Sequence, residues 1–226
     1  MKILFVCQQY IHSARWIHQL KDTEHQIYVF DCLDNPIHKY LLWTNFTTDW
    51  QKRKIPYIKG EHFIAKKLPR IYEFISPFLK VTASERLEKL IKEIKPDLVH
   101  SLEMLTQSYP LLKVHAKLNF LWAYSSWGSD MFLYHQNKNH QLKIKRVLSR
   151  VSFFFSDNSR DYSLAKQLGY KNECFEVLPG GGGYHLDTYQ SYKKPQLSRN
   201  LILIKGYQHW VGRALKVLEA LALINS

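Results

Sequence analysis

Apolar positions in this chain come in short blocks, and the blocks predict strands and helices in alternation. Lys2–Cys7 opens with an apolar run that reads as a strand buried on both faces. Ala14, Ile17 and Leu20 then recur at helical spacing. His25–Phe30 predicts a second strand, with Asp31 at its carboxyl end. From Ser84 the spacing of Leu87, Leu90, Ile91 and Ile94 gives a helix with one apolar stripe, stopped by Pro96. Asp97–His100 predicts a short strand running into Ser101–Glu103, and a helix over about Leu105–Lys117 follows. Phe120–Tyr124 is another buried strand. A polar, basic segment then covers His135–Arg150, with Leu142, Val147 and Leu148 as its inner face. Val151–Phe155 predicts a strand, Asn158-Ser159 caps a helix that ends at Gly169, and Cys174–Leu178 predicts one more strand.

This alternation argues for βαβ units and an α/β fold with a parallel sheet. Right-handed crossovers put all the carboxyl-end loops on one edge. Gln8–Arg15, Asp31, His100–Glu103, Ser125–Asp130 and Ser156–Ser159 should therefore gather into one cleft, the place where open α/β sheets bind ligands. The texture changes at Pro179 and Gly180–Gly183, which lead into a polar stretch up to Asn200. Leu201–Ile204 predicts a new buried strand ending in Lys205-Gly206, and a helix from about Val211 places Leu215, Leu218 and Leu221 inside. One strand and one helix cannot bury a core alone. The expected division is a domain over 1–179, a linker over 180–199, and the start of a second α/β domain over 200–226.

Composition sharpens this picture. A hydrophobic content of 46% with 14% aromatic residues supports a packed core rather than disorder. The formal net charge of +13 favours anionic partners: nucleic acid, acidic lipid or phosphate-bearing substrates. Residues 36–82 interleave aromatic with basic side chains and are cut by Pro56, Pro69 and Pro77. They read equally as a folded insertion with a solvated basic face and as an interfacial membrane face. Nucleic acid ranks below both, because no recognisable binding module is present. No apolar stretch approaches the roughly 18 residues that cross a bilayer, and no secretory signal opens the chain. Cys7, Cys32 and Cys174 form no C-x-x-C pair and suit a reducing cytoplasm. The eleven histidines show no metal-ligand spacing, so no metal site is expected.

The candidate chemistry centres on Ser125-Ser126-Trp127-Gly128-Ser129-Asp130, just after a predicted strand. Gly128 lets backbone approach a ligand, and the serines and Asp130 supply hydrogen bonds. The same residues also fit an ordinary turn whose Ser or Asp caps the next helix. After the first strand there is no G-x-G-x-x-G, so the dinucleotide fingerprint is absent. His12, Ser13 and Arg15 fall near a helix N-terminus, where backbone N–H groups favour anions; equally, Ser13 caps the helix and Arg15 is solvated.

Several segments in order resemble the N-terminal domain of GT-B glycosyltransferases, in particular the retaining family 4 (group 1) enzymes of bacterial surface polysaccharide synthesis. Lys95-Pro96-Asp97-Leu98-Val99-His100 is similar to the family's K-P-D-(I/V)-V-H strand, and Ser126-Trp127-Gly128-Ser129-Asp130 to the S-W-G-S-D loop of a bacterial subset. Ser156–Gly169 resembles a strand-following helix that ends in Gly. Val177-Leu178-Pro179-Gly180-Gly181 resembles the turn before the interdomain linker, and Leu203–Ala220 the start of the donor-binding domain. The resemblance implies a Rossmann-like parallel sheet sandwiched by helices, with the first strand and helix of a second Rossmann-like domain. It implies a cytoplasmic, metal-independent retaining transferase that needs no cofactor and takes a nucleotide sugar as co-substrate. The acceptor would be a glycan or a lipid-linked sugar, with peripheral contact to the inner face of an anionic membrane and no nucleic acid.

The roles that follow are those the resemblance implies. Asp130 and His100 are the catalytic candidates. Ser126, Trp127, Gly128, Glu103 and Arg15 face the acceptor, and Lys205, Gly206 and Arg213 face the donor phosphates. Two departures stand out: Gln8-Gln9-Tyr10 replaces a frequent Gly pair, and no pair of glutamates eight apart follows Gly206. The sequence given is accordingly expected to be catalytically silent. The alternatives are a GT-B sugar-nucleotide epimerase and a non-enzymatic basic module that binds anionic lipid or nucleic acid.

Overall fold

The computed structural model describes residues 1–178, 180–181, 183–184, 186–195, 201–208 and 212–224. Its contacts divide the chain into two compact units, Met1–Gly183 and Tyr184–Ser226. Pro179 and Gly182 of the glycine-rich turn, the end of the polar stretch at 196–200, and Val211 at the expected helix start lie outside the described residues.

The first unit is built on six parallel strands: β1 (Lys2–Cys7), β2 (Gln26–Phe30), β3 (Asn45–Thr47), β4 (Leu98–Leu102), β5 (Trp122–Ser125) and β6 (Phe153–Phe155). They lie in the order β3-β2-β1-β4-β5-β6, the doubly wound Rossmann order, with both halves starting from the middle of the sheet. Successive side chains of a strand point to opposite faces. In β1, Leu4 and Val6 therefore enter one core, while Ile3, Phe5 and Cys7 enter the other. Burial on both sides is why this strand is an unbroken apolar run. Helix α1 (Ile11–His18) covers the second face through Ala14 and Ile17.

Beyond β3, α2 (Glu61–Lys67) and α3 (Pro69–Leu79) form a side excursion. The chain then returns through α4 (Ala83–Ile94) to the first face, where α5 (Tyr109–Leu118), α7 (Lys138–Leu148) and α8 (Ser159–Gln167) also pack; the single-turn α6 (Ser129–Phe132) follows β5. A capping box starts α4: Thr82 Oγ1 accepts from Glu85 N–H, and the Glu85 carboxylate accepts from Thr82 N–H. Asn158 caps α8 by accepting from Asp161 N–H at 2.9 Å, and Gly169 follows the helix at φ +102°.

The structure corrects several expectations. The insertion supplies the edge strand β3. Tyr10 is the N-cap of α1, and Ser13 is buried inside the helix, so it caps nothing. The helix expected from Leu105 begins as a π turn over Met104–Ser108 before α5. On α7 the inner face is Ile144, Val147 and Leu148, and Leu142 is exposed, because the helix is rotated from the expected phase. Cys174–Leu178 is not a strand. Leu178 N–H donates to Ser156 O at 3.0 Å and Phe175 stacks on Phe155, but one backbone hydrogen bond is not a ladder.

The second unit contains α9 (Leu186–Gln190) and α10 (Ala214–Ile224). Leu201–Ile204 forms no strand and is mostly exposed, since no neighbouring strand among the described residues can satisfy its backbone. Leu215 and Leu218 are likewise exposed, and no residue of α10 is buried.

Candidate functional site

The carboxyl ends of the six parallel strands share one edge, and their loops are tied together by polar groups. Where β4 ends, Glu103 takes a φ of +92°, a strained conformation for a residue with a Cβ. Its carboxylate fixes the turn, accepting from Leu105 N–H at 2.6 Å and from Thr106 N–H and Oγ1 at 2.7 Å each. Gln8 Nε2 donates to Thr106 Oγ1 at 2.8 Å, which ties the end of β1 to the same turn. Buried Gln107 donates to Asp31 Oδ1 and accepts from Cys32 N–H, both at 3.1 Å, and brings in the end of β2.

Asp130 is the knot of the next loop. Its Oδ1 accepts from Trp127 N–H at 3.0 Å and Met131 N–H at 2.9 Å; its Oδ2 accepts from Tyr124 OH at 2.7 Å and Met104 N–H at 3.1 Å. Both oxygens are spent on protein donors, and the residue is buried. Burial pushes its carboxyl up to about 7, against the opposing pull of the Tyr124 hydroxyl and Trp127 N–H; Glu103 and Asp161 nearby add to the rise. Gly128 supports the turn with φ +79° and ψ −86°, a conformation suited to glycine.

His100 sits between Phe5 and Phe155, with ring centroids 5.3 and 5.4 Å away. Its Nε2 lies 2.8 Å from Ser125 Oγ, and burial lowers its pKa to about 3, so the ring is neutral near pH 7. Ser126 belongs to a further link: its Oγ donates to Asp161 Oδ2 at 3.2 Å and lies 3.1 Å from Ser156 Oγ, whose hydroxyl can donate back to it. Arg160 Nε donates to Asp161 Oδ1 at 2.9 Å, Nη2 completes the ion pair with the same oxygen at 2.9 Å, and the guanidinium lies 3.9 Å from the centroid of the Phe132 ring.

These loops frame a narrow notch lined by Ser125, Ser126 and Ser156, by Trp16 and Trp127, and by Leu178 and Gly180. Its interior space of about 10 Å³ has room for one water. Trp16 and Leu178 also line an apolar cavity of about 560 Å³, which reaches Phe5 and His100.

Of the sequence candidates, Ser126 and Trp127 line the notch and His100 lines the cavity beside it. Gly128, Glu103 and Asp130 shape the loops without lining either space, and on α1 it is Trp16 rather than Arg15 that faces them. Sequence reasoning placed Ser156 on the cleft edge but missed Asp161 and Gln107, whose partners Ser126 and Asp31 lie far away along the chain, and with Asp161 it missed the neighbouring Arg160. In the second unit, Lys205 and Arg213 line one groove of about 260 Å³ with Tyr207 and Gly212, and Lys205 Nζ lies 4.6 Å from the centroid of the Tyr207 ring; Gly206 is not on its lining. Among the described residues no cluster of three or more His, Cys, Asp or Glu could hold a metal, and no helix is long and apolar enough to cross a membrane.

A profile of the glycosyl transferase 4-like family matches residues 2–158, the span that holds all six strands and most of the notch. No curated protein matches the sequence. Among solved structures, Anabaena Alr3699/HepE in complex with UDP aligns with TM-score 0.52 at 13% identity, over 84% of this chain and 46% of that one. A UDP-N-acetylglucosamine 2-epimerase aligns with TM-score 0.50 at 14% identity, over 75% of this chain and 45% of that one. The chain thus spans less than half the length of these structures. At such identities the likeness concerns the fold alone.

Proposed function

The chain belongs to the glycosyl transferase 4-like family, and from that premise we propose that Met1–Gly183 is the acceptor side of a nucleotide-sugar-dependent glycosyltransferase. The observation that carries this reading is that the family match runs through the loops that build the serine-lined notch. The serine hydroxyls of the notch suit sugar hydroxyls, and the indoles of Trp16 and Trp127 suit the apolar face of a pyranose. The notch interior is too small for a ring, so the sugar lies across its mouth. Arg160, held by Asp161 and Phe132, places a fixed cation near the loop that begins at Ser126.

The proposed reaction is a retaining, metal-independent transfer to a glycan or lipid-linked acceptor at the inner face of the plasma membrane, in surface polysaccharide synthesis. The bond from sugar C1 to the diphosphate oxygen breaks, and the acceptor hydroxyl forms its bond to C1 on the same face. The acceptor proton passes to the departing diphosphate. Cations stabilise that leaving group, and Lys205, Arg213 and the backbone at Gly206 are assigned to it. Asp130, with both oxygens engaged, is a positioning residue for the Trp127 loop. His100, neutral and bonded to Ser125, orients the floor of the notch.

A test uses the indole N–H resonances of Trp16 and Trp127. Octyl glycosides of common hexoses, which mimic a lipid-linked acceptor, are titrated into the protein. The expected result is that both indoles shift, and that Trp127→Ala, with an unchanged circular dichroism spectrum, abolishes saturable binding. Indoles insensitive to every glycoside would overturn the acceptor-side assignment. Consumption of a UDP-sugar without acceptor, giving free UDP and an inverted sugar centre, would replace it with the epimerase reading.

A further inference from the structure

We propose that α2 and α3 form a docking surface for an anionic phospholipid bilayer. This extends the membrane-side part of the function above, but it does not depend on sugar transfer taking place.

The helix pair turns its apolar side outward. On α3 and its N-cap, Leu68, Ile71, Phe74 and Phe78 recur at one-turn spacing as a single stripe, and all four are exposed, Phe74 by 76% and Phe78 by 69%. Phe63 on α2 is 62% exposed. What fastens the pair to the protein is largely polar. Arg53 Nη1 and Nη2 donate to the two oxygens of buried Glu61 at 2.9 and 2.7 Å, and Tyr72 OH donates to Glu61 Oε1 at 3.2 Å. That pairing with Arg53 holds the Glu61 carboxyl down at about 2. A short backbone pairing, Val81 N–H to Lys52 O and Lys54 N–H to Leu79 O, both at 2.9 Å, closes the base of the excursion. The aromatic stripe is thus left free of the internal packing.

The charge around the stripe selects the occupant. Residues 52–80 carry eight Lys or Arg against two Glu, and one of those, Glu61, is buried and paired. Lys66, Lys67 and Arg70 are exposed between the apolar positions of α2 and α3. A second copy of this chain would bring the same excess of positive charge and be repelled. An anionic lipid surface attracts it and receives the aromatic side chains at the boundary between headgroups and acyl chains.

The test is co-flotation of the full chain with vesicles of phosphatidylcholine alone, or of equal parts phosphatidylcholine and phosphatidylglycerol. Binding to the mixed vesicles is expected to exceed binding to the neutral ones by about tenfold or more, and to weaken with added salt. Phe74→Ser/Phe78→Ser and Lys66→Glu/Lys67→Glu/Arg70→Glu should each reduce mixed-vesicle binding by about tenfold or more. Both variants change exposed positions, so their circular dichroism spectra should match the parent. Equal binding to both vesicle types, or none, overturns the proposal. So does a parent dimer, seen by light scattering, that Phe74→Ser/Phe78→Ser dissociates. The Trp16 and Trp127 response to octyl glycosides is followed in the same samples, so a lost vesicle interaction with an intact saccharide response rejects this surface without touching the transferase reading.

Discussion

His100, in the middle of β4, and Asp130, in the α6 turn that follows the neighbouring β5, are buried polar groups, and burial shifts the two toward neutrality from opposite sides. His100 has its folded pKa lowered to about 3, so below its ordinary value of 6.5 the unfolded chain binds a proton that the folded chain refuses. Its contribution to stability is present above pH 6.5 and is lost as pH falls toward 3. Asp130, raised to about 7, acts the other way: its folded form keeps a proton above 3.8 that the unfolded form has released, so its contribution declines as pH rises toward 7. The two effects offset each other in the intact protein and can be separated by substitution. His100→Phe places an aromatic ring between Phe5 and Phe155 and leaves Ser125 Oγ without its imidazole partner. Urea unfolding at about pH 7.5 and about pH 5 should show the parent losing about 2 kcal/mol more than the variant between the two conditions. An equal loss in both would mean that His100 is protonated in the fold.

At the scale of elements, loop geometry carries the site, and Gly128 measures its cost. No atom lies within 4 Å of where a Cβ would sit, so an alanine there meets no steric clash. The penalty comes from backbone conformation alone, φ +79° with ψ −86°. Gly128→Ala should destabilise the protein by about 1–3 kcal/mol and lower hydrogen-exchange protection from Trp127 to Phe132, while β1 and β2 keep theirs. Unchanged protection there would show that the turn tolerates a side chain. The elements around the site differ in how legible they were. β1, β2, β4, β5 and β6 could be read because strands buried on both faces are continuous apolar runs, and their carboxyl-end loops followed from handedness. β3 could not, since Asn45-Phe46-Thr47 is a three-residue edge strand with Phe46 exposed and no period to detect. Cys174–Leu178 misled because apolar composition carries no information about whether a neighbouring strand completes a ladder. Within the site, Ser126 and Trp127 were legible as small and aromatic residues after a strand. The links Ser126–Asp161, Gln107–Asp31 and Gln8–Thr106 were not, because they join positions 35, 76 and 98 apart and exist only once the sheet has formed.

For the molecule as a whole, burial is concentrated in one place. Every buried apolar residue among the described ones falls at or before Tyr170, and all but Leu79 and Ala123 belong to two clusters on the two faces of a single sheet. The described residues of Tyr184–Ser226 include none, and α10 leaves Leu215, Leu218, Leu223 and Ile224 largely exposed. Folding must repay about 1–2 kcal/mol of backbone entropy per ordered residue, chiefly by apolar burial. The first unit has the means to do so, while a single helix of eleven residues is marginal in water without tertiary packing. Cooperative stability of the chain should therefore belong to Met1–Gly183. A protein comprising residues 1–183 is expected to unfold in one transition with the midpoint of the full chain. Its denaturant dependence should be nearly unchanged, because that slope follows the surface exposed on unfolding and α10 adds little. In the full chain the amides of α10 should exchange far faster than those of β1 or β4. A shorter chain with a markedly lower midpoint, together with protected α10 amides, would show instead that the second unit shares the core's cooperativity.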